Sequence, residues 1–305
     1  MRIVLIGQAA FGEKVLEAIL AKSEVVVGVF CPPDAPGKPN ALRQLAECRG
    51  LPVYQPKRMR APETLALYKT LRPELNVMAF VSEIVPACIL NYPPCGTIQY
   101  HPSLLPRHRG GSAINWAIIN GETRTGLTIF WPDAGIDTGP ILLQKEVVID
   151  PDDTTGSLYF DKLSPLGVQA MVEAIEMIKA GAAPHIPQDE SLATCEPLCT
   201  EARTVIEWRQ PIARIYDLVR GANPQPGAVT SWRGRRFKIF DCRRVNLACS
   251  APPGEVCTVC DEGFEVAAPD GGLVVKRIQL EGKAKMKARE FVALSGLKVG
   301  DCLGT

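Results

Sequence analysis

Histidine is scarce in this chain, with three in 305 residues. No apolar run is long enough to span a bilayer, and the opening MRIVLIG lacks the apolar core and small-residue cleavage site of a signal peptide. These absences predict a soluble, cytoplasmic protein with no membrane partner. The first strand–helix turn, GQAAFG, is neither GxGxxG nor a Walker A loop, so tight-turn glycines explain it better than a phosphate cradle. Eleven cysteines contain one close pair, Cys257 and Cys260 in GEVCTVCDEG, and no second pair with matching spacing follows. A structural zinc needs four ligands, and VCTVC alternates like a strand, so no metal site is expected there. Repeats and low-complexity segments are also missing.

What is present begins with a hidden charge asymmetry. The net charge is +1, yet residues 1–205 hold 18 Lys+Arg against 22 Asp+Glu (−4), and residues 206–305 hold 16 against 11 (+5). A basic final third suits either an anionic partner or a solvated surface. The first half alternates β-rich runs (RIVLIG, EVVVGVF, LPVYQ, ELNVMAFV, CGTIQY) with helical patterns such as GEKVLEAILAK, where Val15/Ile19 and Leu16/Leu20 stand four apart. This rhythm predicts an α/β domain with a mostly parallel sheet covered by helices. Asp152, Asp153 and Thr154 cap a helical region reaching Ala180, with an expected interruption at Pro165. The chain therefore divides into a domain over 1–182, a polar, Pro-containing linker over 183–205, and a domain over 206–305. The last opens with the helix PIARIYDLVRG and continues in short strands with Gly-rich turns, the pattern of a small open β-barrel.

In open α/β sheets, ligands bind beyond the carboxyl ends of the strands. The run IQYHPSLLPRHRGGSAINW holds two of the three histidines, and its strand ends at His101. Period-two alternation puts Gln99 and His101 on one face and Tyr100 on the other. An amide and an imidazole facing one crevice suit a developing oxyanion. The loop DAGIDTG carries Asp133 and Asp137 beside Gly135 and Gly139. A carboxylate near His101 would raise its pKa and fix its tautomer, as general acid–base work requires. The plainer alternatives are a satisfied strand-end histidine and ordinary turn aspartates.

The segments HPSLLPRHRGGSAINW and GLTIFWPDAGIDTGPILLQKEV resemble the folate-dependent formyltransferase family, and VLIGQAAFG, ELNVMAF and RGANPQPGA extend that likeness over nearly the whole chain. The resemblance implies a Rossmann-like formyltransferase domain followed by an open, OB-like barrel. It also implies 10-formyltetrahydrofolate as co-substrate and no metal. The family site contains Asn, His and Asp. His101 and Asp137 match two of them, while Gln99 stands where the Asn is expected, a position at which the hydrolase domain of 10-formyltetrahydrofolate dehydrogenase also lacks Asn. By position, Phe80, Val81, Ser82, Ile84, Asp133, Ala134 and Gly135 would line the folate pocket. Arg107, His108 and Arg109 would contact the folate glutamate or an acceptor phosphate, or else are exposed charges.

The implied activity is formyl transfer to an acceptor amine, as in the methionyl-tRNA members, with initiator methionyl-tRNA or a small amine as partner. The alternative is hydrolysis of 10-formyltetrahydrofolate to formate and tetrahydrofolate. GQAAFG, YHPSLLPRHRG and SAINW look closest to the hydrolase domain of the dehydrogenase, and CPPDAPGKPNALRQLAE is shorter than the basic insertion with which the tRNA enzymes grip tRNA, which weakens the tRNA assignment. RGRRFK and KAKMKAR in the basic final third favour an anionic acceptor. A non-catalytic folate binder is a third reading, disfavoured by the paired His101 and Asp137.

Overall fold

The structure is a computed structural model and describes residues 1–246 and 251–304. It resolves into two compact units, one of residues 1–110, 126–147 and 160–195, the other of residues 111–125, 148–159 and 196–304.

Seven strands build the first unit's sheet: β1 (Arg2–Gly7), β2 (Val25–Phe30), β3 (Val53–Tyr54), β4 (Leu75–Ala79), β5 (Thr97–His101), β6 (Arg124–Phe130) and β7 (Ile141–Val148), in the order β3-β2-β1-β4-β5-β6-β7. β1, β2, β3, β4 and β5 pair in parallel, as the βα rhythm predicts, but β6 runs antiparallel to β5. Both partners are largely buried along their length, so burial pattern carries no sign of their relative direction.

The chain order reverses between β1 and β4, which opens a crevice at their carboxyl ends. Their close approach depends on Gly7, where a Cβ would collide with the Ala79 carbonyl. Helix α1 (Ala9–Ala21) buries Phe11, Val15, Leu16 and Ile19. Phe11 stacks at a tilt on Tyr100, 4.3 Å between centroids, so Tyr100 lies on the helix-packed face of β5. Across β4, Asn76 is fully buried and satisfied: its Oδ1 accepts from Tyr68 Oη (3.0 Å), and its Nδ2 donates to the Ile89 carbonyl and Thr97 Oγ1 (3.0 Å each).

The helical region after Thr154 starts with a capping box, Thr154 with Ser157. Its irregularity is a π-helical turn, Leu158–Leu163, placed before Pro165 rather than at it. Pro165 occupies the first turn of the helix Ser164–Lys179, where its missing N–H costs nothing. Residues 184–195 do not float free of the first unit. Ile186 exchanges two backbone hydrogen bonds with Ile141 at the start of β7, and His185 stacks on Trp131 at 4.3 Å and 4°.

The second unit carries β8 (Ala228–Trp232), β9 (Arg235–Val245), β10 (Val256–Val259), β11 (Phe264–Ala268), β12 (Gly271–Leu280) and β13 (Lys285–Lys287). They form an antiparallel sheet in the order β10-β11-β12-β9-β8, with β13 beside β12. Residues 301–304 bridge the edges: Val256 N donates to Asp301 O, Leu303 N to Gly254 O, and Gly304 N to Ser231 O. This closing strap makes the sheet barrel-like, around a core that includes Phe237, Ile239, Phe264, Val275 and Phe291. Cys257 lies within β10, and Cys260 bonds with Gly263 across the β10–β11 turn.

Candidate functional site

β5 delivers His101 to the carboxyl end of the sheet, buried at 5 % exposure. Its Nε2 lies 2.8 Å from the His108 carbonyl oxygen, which can only accept, so this nitrogen carries a proton. Its Nδ1 faces Asp137 Oδ2 at 3.4 Å. The Gly110 N–H donates to the same Oδ2 at 2.8 Å, which anchors the carboxylate. Burial pushes His101 below the ordinary imidazole value, while the Asp137 charge and the His108 carbonyl pull against it. The neutral ring therefore turns its unprotonated Nδ1 toward Oδ2, where a proton taken up during a reaction can be held between the two. Asp137 Oδ1 and the Gln99 amide have no partner among the described residues.

Asp137 and His108 both sit in the left-handed backbone region, at φ 55° and 56°. For non-glycine residues such backbone stores about 1–3 kcal/mol each and persists only where surroundings over-determine it. The Asp137 loop is one such surrounding. Asp133 Oδ1 accepts from Gly135 N (2.9 Å) and Thr138 Oγ1 (2.6 Å), closing an Asx-type turn. Gly139 is obligatory for the bend, because a Cβ there would strike the Trp131 carbonyl.

The remaining sequence-derived candidates are placed unevenly. Phe80 and Ile84, on the loop after β4, are 52 % and 85 % exposed, and Ile136 is 67 % exposed. Such exposed apolar side chains on loops at strand ends suit an aromatic ligand. Phe80 too is left-handed, at φ 60°. Phe80, Val81 and Ser82, with Gln8, Cys31 and Met59, line a small open pocket at the β1/β4 crevice, and Gln8 Nε2 donates to Ser82 Oγ at 3.2 Å. Ala134 and Gly135 are exposed in the loop. Of the three basic-loop residues only Arg107 is exposed. His108 is buried, with its backbone N–H on Thr194 Oγ1 (2.8 Å). Arg109 is buried and binds Glu190 through Nη1 and Nη2 (2.8 and 2.6 Å) and Gln188 Oε1 through Nε and Nη2 (3.1 and 2.7 Å).

Sequence reasoning missed Gly110, Gln188, Glu190 and Thr194. The first acts through its backbone, and the others lie in the segment read as linker. The only signal was a cluster of polar residues, QDESLAT, inside a Pro-containing stretch.

Residues 1–175 match the family model described as formyl transferase, and residues 199–295 match the one described as formyl transferase, C-terminal domain. The chain is 36 % identical to a methionyl-tRNA formyltransferase of Syntrophus aciditrophicus, over 99 % of this chain and 98 % of that one. It is 40 % identical to cytosolic 10-formyltetrahydrofolate dehydrogenase of Mus musculus over 95 % of its own length, but spans only 34 % of that longer protein. HypX from Aquifex aeolicus, solved with tetrahydrofolic acid, shares the fold: TM-score 0.68 at 19 % identity, over 97 % of this chain and 48 % of that one.

Proposed function

This chain belongs to the formyl transferase family, and from that premise we propose that it moves the formyl group of 10-formyltetrahydrofolate to an acceptor amine, in the manner of methionyl-tRNA formyltransferases. The observation that carries this reading is the buried His101–Asp137 pair at the end of β5, two residues after an unengaged Gln99 amide. The folate ring lies against Phe80, Val81, Ser82 and Ile84 and against Asp133, Ala134 and Gly135, where apolar side chains stand uncovered. The formyl oxygen takes the Gln99 amide N–H. As the acceptor nitrogen attacks the formyl carbon, charge grows on that oxygen, and the preset donor stabilises it. Asp137 Oδ1 takes the proton the acceptor loses, and the pair holds it with His101 until the C–N10 bond breaks and N10 receives it. One C–N bond forms, one breaks, and the proton moves from acceptor to leaving nitrogen. The His101 imidazolium joins the oxyanion stabilisation when Nε2–H swings from the His108 carbonyl.

Residues 1–182 take the folate and the chemistry in this reading, and residues 206–305 receive an anionic acceptor. Supporting this, Lys238, Gln279 and Lys285 stand in cross-strand register on β9, β12 and β13, with Arg277 opposite Lys287 in the next row. Burial, and then the charges of Arg277 and Lys238, hold Lys285 below the ordinary lysine range. An incoming polyanion relieves that repulsion. We place the reaction in the cytoplasm with initiator methionyl-tRNA as acceptor.

Hydrolysis is the second reading, favoured by Gln99. A longer amide arm leaves the geometry of the acceptor side different from an Asn site, and water attacking the same carbon yields formate. Incubation with 10-formyltetrahydrofolate, with and without initiator methionyl-tRNA, separates the two. N-formylmethionyl-tRNA formed faster than formate supports transfer. Rapid formate release that tRNA does not alter overturns it.

A further inference from the structure

The His101–Asp137 pair is only as good as the backbone that carries it, and that backbone is held by a segment far away in sequence. Gln188 Nε2 donates to two carbonyls of the Asp137 loop, those of Asp137 itself (2.8 Å) and Gly139 (2.7 Å). The amide cannot turn over, because its oxygen accepts two hydrogen bonds from the Arg109 guanidinium. Arg109 is in turn gripped by both carboxylate oxygens of Glu190. The same segment reaches the other partner of His101. Thr194 Oγ1 receives the His108 N–H, Thr194 N donates to the Pro106 carbonyl (3.1 Å), and Arg109 N donates to the Thr194 carbonyl (2.9 Å). Residues 188–194 therefore tie down both loops whose groups face the imidazole, one bringing Asp137 and the other the His108 carbonyl.

We infer that Gln188 is a positioning residue for the reaction, whose amide locks Asp137 in its left-handed conformation and so sets the carboxylate against His101. The chain of consequence is short. Asp137 at φ 55° has no glycine's freedom, and its own carbonyl is one of the two that Gln188 holds. Without that clamp the residue relaxes toward an ordinary backbone region, and its carboxylate leaves Nδ1 and the Gly110 N–H together. Charged groups around the assembly are Asp137 and His108 beside His101, and Glu190, Asp133 and Asp137 beside Arg109. The inference rests on the formyl-transfer reading for its kinetic arm only.

Two variants distinguish a clamp on the carbonyls from a mere anchor for Arg109. Gln188→Ala removes both. Gln188→Glu keeps, and strengthens, the partner of Arg109 but turns a carboxylate oxygen toward two carbonyl oxygens. A misplacement of about 1 Å costs up to ~100-fold in rate, so Q188A should lower kcat about 10- to 100-fold while the KM for 10-formyltetrahydrofolate moves less than about 3-fold. Q188E should be at least as impaired as Q188A, with thermal melting showing both variants folded at the assay temperature.

The second arm needs no turnover. With three histidines in the chain, ¹⁵N-imidazole NMR resolves His101 once His101→Gln identifies its signal. Removal of the Asp137 charge in Asp137→Asn lowers the His101 titration midpoint, and Q188A and Q188E should shift it the same way by a smaller amount. Wild-type kcat in Q188E, or an unmoved His101 midpoint in both Gln188 variants while Asp137→Asn moves it, overturns the inference. Should the wild type show no turnover of 10-formyltetrahydrofolate, the formyl-transfer reading fails, and the NMR arm still decides whether Gln188 positions Asp137.

Discussion

Replacing Asp137 by Asn removes one charge, and the proton acceptor with it, while barely changing the shape of the side chain, which makes it the sharpest perturbation of the site. The amide oxygen of Asn still accepts from the Gly110 N–H, so the loop keeps its anchor. What disappears is the proton-accepting Oδ1, together with the attraction of the carboxylate at 3.4 Å for the imidazolium that forms during the reaction. With an effective dielectric constant of about 20, that attraction is roughly 5 kcal/mol. If all of it is felt in the transition state, the rate falls about 4,000-fold, since each 1.36 kcal/mol is tenfold. The usual contribution of a positioned general acid–base is about 10²- to 10⁴-fold, so the two routes agree. The assay is consumption of 10-formyltetrahydrofolate at saturation, with folate affinity measured separately by fluorescence quenching. The expected result is a kcat lower by two to four orders of magnitude, roughly, with affinity within about 3-fold. A variant that keeps more than about a tenth of wild-type kcat would show that the pair is a structural ion pair and nothing more.

Four other outcomes follow from the same geometry. Gln99→Leu removes an oxyanion donor and should cost about 10²- to 10³-fold in kcat with folate binding retained, as single-turnover rates and equilibrium titration will show. Gly139→Ala puts a Cβ against the Trp131 carbonyl and should destabilise by about 1–3 kcal/mol in urea unfolding, along with loss of activity. Asn76→Leu removes three buried hydrogen bonds and leaves the Tyr68 hydroxyl and the Ile89 carbonyl only their long 3.4 Å contact with each other, about 1–3 kcal/mol by the same measurement, and a loss below roughly 0.5 kcal/mol would contradict the buried network. For pH, His101 has a folded value below its unfolded value of about 6.5, so the unfolded chain binds the proton first. Its stabilisation is complete above about pH 6.5, declines as pH falls through that value, and is gone below the folded value. Unfolding curves for wild type and His101→Gln should therefore differ in slope only in that acidic window.

The crevice was legible because strand alternation is a strong signal. IQYH announces a strand, its period places Gln99 and His101 together, and Gly–Asp spacing marks the DAGIDTG loop as a sharp turn. The structure brings His101 and Asp137 together. Other features left no pattern. Gln188 lies 51 residues from Asp137, and a single long-range hydrogen bond has no periodicity. Arg109 looked like one of three exposed cations, yet its partners, Gln188 and Glu190, lie in an irregular segment with no element to align it. Strand direction at β5/β6 was hidden by uniform burial, and the π turn before Ser164 by the helical spacing on both sides of it. Intervals set by local backbone physics could be read, and contacts made by loop closure could not.

The most direct measurement is a crystal structure with a stable 10-formyl folate analogue bound. The folate ring should lie over Phe80 and Ile84, with the formyl oxygen within about 3 Å of the Gln99 amide nitrogen. Asp137 Oδ1 should stand on the face open to an acceptor. A formyl group lying beyond direct hydrogen-bond reach of both Gln99 and His101 would contradict the proposed mechanism.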